Sequence, residues 1–444
     1  MDYRRFDKVI IFLYIFSTLF FVYQHSTGIS WDFSCYVLNA KYMFANGFYF
    51  EWYRAPLMPF LIGIFSVFGW LTAEYLYIIF ISTLFLYSCL KISKNLKCNK
   101  RLFYAISLSP FALINGLMIG TELLSLALLQ LFVAHTLERK RRSGFSLGLS
   151  FLTRYTNLIF TPLILFNKNY KKILVTLILF ISTVIPWLTY NWIVSGNPLT
   201  SIANSYALNV KFRGYMFMPF NLLDVLIVIG YFLPFFLLGV FLRLKKMNKI
   251  DWIMISVILL ILISYYKTPY KELRYLFSLG LPVSYFSTTF IDKIRNKKVV
   301  TLIIVILNFG IASFFFTPLY NLAPYKQIIP RLDDCMLESN VWPYFNYLGV
   351  PTDTYPWKNT LNSEIKVGKR ILLFKNNVEP EYVRDEEFLS HFPIIENTAE
   401  YILLGDENKC APRYKVDTPF LEKVMKETGT KITICEIFLP KELC

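Results

Sequence analysis

Histidine occurs only 3 times in the 444 residues, and no Cys-x-x-Cys pair or His-rich spacing is present. Nothing in the chain therefore has the ligand spacing of a zinc site. Acidic residues are scarce too, with 30 Asp and Glu against 46 Lys and Arg, which leaves a formal net charge of +16. Polar surface is the largest deficit. Over residues 1–316 polar residues appear only as short punctuation between apolar blocks, which excludes a soluble protein of this size. No small-x-small cleavage site follows the first apolar segment, 9–23, so it reads as an uncleaved span rather than a signal peptide.

Hydrophobic residues make up 55% of the chain, and the mean hydropathy is +0.45. The sequence reads as a polytopic α-helical membrane protein. Its basic residues gather at 1–8, 91–101, 138–142, 168–172, 243–249 and 292–298, between apolar blocks. That is the bias of cytoplasmic turns, and it leaves nucleic acid out as a partner. With the N-terminus in the cytoplasm, the chain must cross an odd number of times between residues 24 and 91. The segment 56–70 is short for a crossing of roughly 20 residues. Segments 33–46 and 56–70 are therefore expected as helices on the outer interface, within a long first outer loop, 24–72. Further spans are expected at 73–91, 102–119, 121–137, 144–153, 156–166, 173–194, 221–242, 252–266, 275–291 and 299–316, about eleven in all with the first.

Residues 1–316 form the expected membrane domain and 317–444 an extracytoplasmic soluble domain. The latter has strand-like runs at 370–374, 400–405 and 431–438, so a small α/β domain is expected. Four of the seven cysteines fall there: Cys335, Cys410, Cys435 and Cys444. One or two disulfides and free buried thiols both remain open, and spacing does not fix connectivity.

Charges on the outer side of this topology need a reason. The cations are Lys41, Arg54, Arg154, Lys211, Arg213, Lys267, Lys271 and Arg274, and the acids include Asp32, Glu51, Glu122 and Glu272. Ionisable groups close to a bilayer commonly face a protein cavity and carry function. Any one of them can instead snorkel or cap a helix, and Asp32 is placed to cap a helix starting at Phe33. Together they suit an anionic lipid headgroup. Arginine grips phosphate through a planar fork, and a carboxylate takes a proton from an attacking hydroxyl or holds a divalent cation.

Several stretches, in order, resemble the GT-C superfamily of membrane glycosyltransferases. They are closest to the branch of protein O-mannosyltransferases and the aminoarabinose transferase of lipid A. They are "SWDFSCYVLNAKYMFANG" (30–47), "YRAPLMPFLIGIFSVFG" (53–69), "GTELLSLALLQLF" (120–132), "GLSFLTRYTNLIFTPLIL" (148–165), "PWLTYNWIVSGNPL" (186–199) and "ELRYLFSLGLP" (272–282). The resemblance implies inverting transfer of a mannose-like sugar from a polyprenyl-phosphate carrier, such as dolichol phosphate, on the outer face. The acceptor would be a glycan, lipid or protein. It implies Asp32 and Glu122 as catalytic acidic residues, Asp32 serving as base or orienting the acceptor and Glu122 matching the second acidic position. Arg54, Arg154, Arg274, Lys271 and Tyr53 would bind the lipid phosphate or sugar. A divalent cation, Mg or Mn, would fall to Asp32 and Glu122. Two departures bear on this: Phe33 follows Asp32 where a second acid is usual, and Ala55 stands where the first of two prolines is usual.

A lipid transporter or flippase is the alternative from another class. It calls for inverted repeats and charges near the midplane. No clear repeat relates the halves, and the notable charges lie at the outer edge. A scaffold whose outer domain does the work would leave Asp32, Glu122 and Arg154 without a role.

Overall fold

The structure, a computed structural model, describes residues 7–416 apart from 168, 212–216, 317, 378 and 415. These residues divide into two compact units, one comprising 7–27 and 53–319, the other 28–52 and 320–416. The segment Gly28–Trp52, expected in the first outer loop, clusters with the C-terminal part.

Six helices among the described residues are long and apolar enough to cross a membrane: Lys8–Ser26, Trp70–Leu96, Tyr170–Ser195, Leu222–Leu244, Lys249–Lys267 and Lys297–Phe314. Each coincides with an expected span. The other five expected spans are shorter or broken. The segment 102–119 splits into Lys100–Ser107 and Pro110–Asn115, because Ser109 caps a new helix and Pro110 opens it. Residues 144–153 are a short α-helix, Ser143–Thr153, whereas 156–166 wind as a 3-10 helix, Tyr155–Asn167. Helix starts are set by polar caps between the apolar blocks. Asn99, Asn169, Asn221 and Asn248 each accept from backbone N–H groups of the following turn.

At the centre of this unit lies the helix Glu122–Leu137, buried at nearly every position. A helix apolar all round is an interior helix. It packs against Trp70–Leu96, Ser143–Thr153 and Gly280–Ile291. Its one mid-helix amide, Gln130, accepts hydrogen bonds from Ser88 (2.7 Å) and Cys89 (3.3 Å). Such contacts tie helices together where apolar burial alone gives little specificity.

The second unit is built on a five-stranded sheet of β1 (Leu337–Ser339), β2 (Thr352–Thr354), β3 (Arg370–Phe374), β4 (Ile394–Asn397) and β5 (Tyr401–Leu404). The strand order is β2-β1-β3-β5-β4, with β2, β1 and β3 parallel and the β3–β5 and β5–β4 pairs antiparallel. Two of the expected strand runs are β3 and β5. The third, 431–438, lies outside the described residues, as do Cys435 and Cys444. Cys335 and Cys410 form a disulfide. The helix Trp31–Ala45 packs against the helix Trp342–Tyr347, and its Leu38 joins Tyr49, Trp342, Ile371, Leu373, Ile402 and Leu404 in one core. The helix Trp31–Ala45 is thus an integral layer of the α/β unit.

Candidate functional site

In the first unit, Glu122 begins the central helix and is almost wholly buried. Arg154 Nη1 donates to its Oε1 at 3.0 Å, and the Thr121 hydroxyl donates to Oε2 at 3.3 Å. Arg154 sits at the break between Ser143–Thr153 and the 3-10 helix, in extended backbone. The break is held from two sides. The Asn157 side chain donates to Ser125 Oγ at 2.7 Å and to the Ser150 carbonyl and hydroxyl, both at 2.9 Å. Ser125 lies three residues after Glu122, on the same face of that helix, so acid and arginine are set by one packing contact. On the other side, the Tyr155 hydroxyl donates to Ser201 Oγ at 3.0 Å and accepts from Trp187 Nε1 at 2.9 Å. Asn191 adds bonds to Ser201 Oγ (2.8 Å) and the Pro198 carbonyl (3.1 Å). The segment 186–199 is therefore a bracket behind Arg154.

Arg274 and Tyr275 lie on the 3-10 helix Leu273–Leu279. The Tyr275 ring has two guanidinium groups near it, Arg154 and Arg274, each 5.7 Å from its centroid. Arg274 is salt-bridged to Glu272. Two guanidinium groups thus flank one aromatic ring, and each is paired with a carboxylate, Glu122 for Arg154 and Glu272 for Arg274. Nearby in sequence, Lys271 lies 5.5 Å from the Tyr265 ring and donates to the carbonyls of Tyr266 (3.2 Å) and Thr268. It is in the loop after Lys249–Lys267, and burial pushes its ammonium below the ordinary lysine range. Arg54 is buried, with its guanidinium 5.2 Å from the Tyr53 ring. A small cavity in the same unit is lined by Ile106, Ser107, Ser109, Phe111, Leu126 and Phe277, among others. Phe277 is one turn from Arg274 on the same 3-10 helix.

Asp32 belongs to the second unit. It lies in the first turn of Trp31–Ala45, and the cap is Ser30, whose hydroxyl accepts from Phe33 N at 3.2 Å. The expectation that Asp32 itself caps this helix is corrected: a residue inside the first turn has already spent its position as cap. A carboxylate there still complements the positive end of the helix dipole. Of the other charges expected on the outer side, Lys41 stands 5.0 Å from the Tyr347 ring. The Lys211 side chain and Arg213 lie outside the described residues.

The structure thus joins Glu122, Arg154 and Arg274 around Tyr275, with Lys271 in the preceding loop. Sequence reasoning passed over Tyr275, because an aromatic residue carries no signal of the charges around it. It also missed the buried pair of His25 Nε2 and Glu74 Oε2, 2.8 Å apart, which links the helices Lys8–Ser26 and Trp70–Leu96. Among the described residues no group of three or more His, Cys, Asp or Glu gathers that could hold a metal ion. Glu122, expected as a ligand, accepts from Arg154 and Thr121.

No family model matches the sequence, and no curated protein matches it either. Two solved structures of ArnT from Cupriavidus metallidurans are similar in fold. The one bound to undecaprenyl phosphate has a TM-score of 0.66 at 9% identity, covering 89% of this chain and 97% of that one. The apo structure has a TM-score of 0.63 at 9% identity over the same shares. At that identity the likeness carries the fold alone.

Proposed function

We propose that this chain is an inverting glycosyltransferase that moves a sugar from a polyprenyl-phosphate carrier to an acceptor hydroxyl at the outer face of the membrane. The observation that carries the reading is the pair of guanidinium groups about Tyr275, one of them held by the buried Glu122. Arginine forks match phosphate, and a cluster fixed before the substrate arrives stabilises charge as the sugar–phosphate bond breaks. Further support comes from the fold shared with a protein solved with undecaprenyl phosphate bound.

In this reading Arg154 and Arg274 hold the carrier phosphate, with Lys271, Arg54 and Tyr53 completing the donor site. Asp32 takes the proton from the acceptor hydroxyl as it attacks the anomeric carbon, and the carrier leaves as its phosphate. Glu122 acts by holding Arg154, which modifies the catalytic role expected of it. The sugar is read as mannose-like and the acceptor as a glycan, lipid or protein. The second unit, with its disulfide, is read as extracytoplasmic, since such bonds persist in oxidising compartments.

The test uses the full chain in liposomes with carriers labelled in the sugar and membrane extract as the source of acceptor. Acceptor-dependent loss of label from the carrier is expected, and it should disappear in a folded Arg154→Ala variant. Label that changes leaflet without leaving its carrier would replace the transferase with a flippase.

A further inference from the structure

Five contacts in the second unit close a ring around the helix that bears Asp32. Trp31 meets Trp342 edge to face, with centroids 4.6 Å apart. Trp342 Nε1 donates to the Tyr49 hydroxyl at 3.2 Å. That hydroxyl donates to Glu51 Oε1 and also lies 3.8 Å from Cys35 Sγ. The Asn39 amide then grips the Glu51 backbone at both ends: Glu51 N–H donates to Oδ1 at 2.8 Å, and Nδ2 donates to the Glu51 carbonyl at 3.0 Å. Asp32, Cys35 and Asn39 follow one another at three and four residues, so they share one stripe of the helix.

Every member of the ring except Trp31 is buried, and Glu51 is 1% exposed. A buried carboxylate is expensive unless donors hold it. Packing alone would be served by an apolar residue here. The ring instead fixes rotation and register: the side-chain amide of Asn39 pairs with backbone as a strand would, and that match fails if the helix turns.

We propose that Trp342, Tyr49, Glu51 and Asn39 are positioning residues for Asp32, holding its carboxylate at the angle from which it accepts the acceptor's proton. The inference rests on the reading of Asp32 as base given above. Trp342 is the member supplied by the C-terminal segment, so the α/β unit takes part in the reaction through it.

The experiment measures steady-state transfer by the full chain in liposomes for Asp32→Asn, Tyr49→Phe, Trp342→Phe and the double variant Asp32→Asn/Tyr49→Phe. Thermal unfolding of each is recorded alongside. Tyr49→Phe keeps its ring and deletes only the hydrogen bonds, whereas Trp342→Phe removes the indole N–H together with part of the ring, a packing loss that its unfolding curve measures. Each should lower kcat about ten- to hundredfold, as a small misplacement does, with KM for the carrier within about twofold. The double variant should be no slower than Asp32→Asn, because a lost base cannot be misplaced. Wild-type kcat in both ring variants, beside a slow Asp32→Asn, would overturn this inference alone. So would a double variant slower by the product of the two effects, which is the mark of a general structural loss. Full turnover in Asp32→Asn would overturn the base assignment and the ring's role with it.

Discussion

Arg154 and Glu122 meet at 3.0 Å with the acid almost wholly buried, so neither can change alone without cost. Glu122→Gln keeps the shape but leaves the guanidinium without a counter-charge. It should lower stability by about 2–3 kcal/mol, at the lower end for a broken buried pair because Arg154 is partly exposed. Unfolding of the detergent-solubilised protein measures this. Arg154→Lys keeps the charge and loses the fork. It should raise KM for the carrier roughly tenfold with a smaller effect on stability, read from transfer rates at varied carrier. Lys271 brings a pH dependence. Its pKa in the folded chain is lowered by burial, so it loses its charge at a lower pH than a free lysine. Carrier binding should therefore weaken as pH rises through a window below the ordinary lysine value of about 10.4. Folding becomes more favourable over the same window, since the unfolded chain holds that proton more tightly. Lys271→Arg should abolish the alkaline loss of binding. At this scale the sequence was legible for a plain reason: a charge amid apolar residues stands out. Which charges pair, and that Tyr275 lies near two of them, depends on packing that no local pattern records.

The helix Ser143–Thr153 ends at Arg154 and packs against Tyr170–Ser195 through Gly144 and Gly148. A Cβ at Gly144 would lie 2.0 Å from the Thr176 carbonyl oxygen, and one at Gly148 would lie 2.6 Å from Thr183 Cβ. This is a small-xxx-small contact in which the backbones themselves touch. Gly144→Val should push the helices apart and carry Arg154 with them. The expected result is a rise in KM for the carrier and a loss of about 1–3 kcal/mol of stability, as for other overpacked contacts. Six long helices were visible because apolar length and basic turns both mark them. The break at Leu108–Ser109 was written in Ser109 and Pro110, a cap and a first-turn proline, which an average over hydropathy smooths away. The 3-10 winding of Tyr155–Asn167 follows from contacts of Asn157 and Tyr155 with distant serines, and no run of residues announces it.

Over the whole molecule, the α/β unit takes a layer from residues 28–52, almost three hundred positions before its strands. That assembly was not legible, because Tyr49, Asn39 and Trp342 are ordinary residues until the chain brings them together. The disulfide closes a separation of 75 residues between Cys335 and Cys410. Reduction should lower the stability of this unit by about 2–4 kcal/mol, read from chemical unfolding with and without a thiol reductant. The central claim, that the cations about Tyr275 hold a lipid-linked phosphate, is tested most directly by binding. Polyprenyl phosphate and the corresponding polyprenol would be titrated against the wild type and against a folded Arg154→Leu/Arg274→Leu variant. The account predicts that the wild type prefers the phosphate at least tenfold and that the variant loses that preference while still taking up the polyprenol. Equal binding of the two lipids by the wild type, or an undiminished preference in the variant, would contradict it.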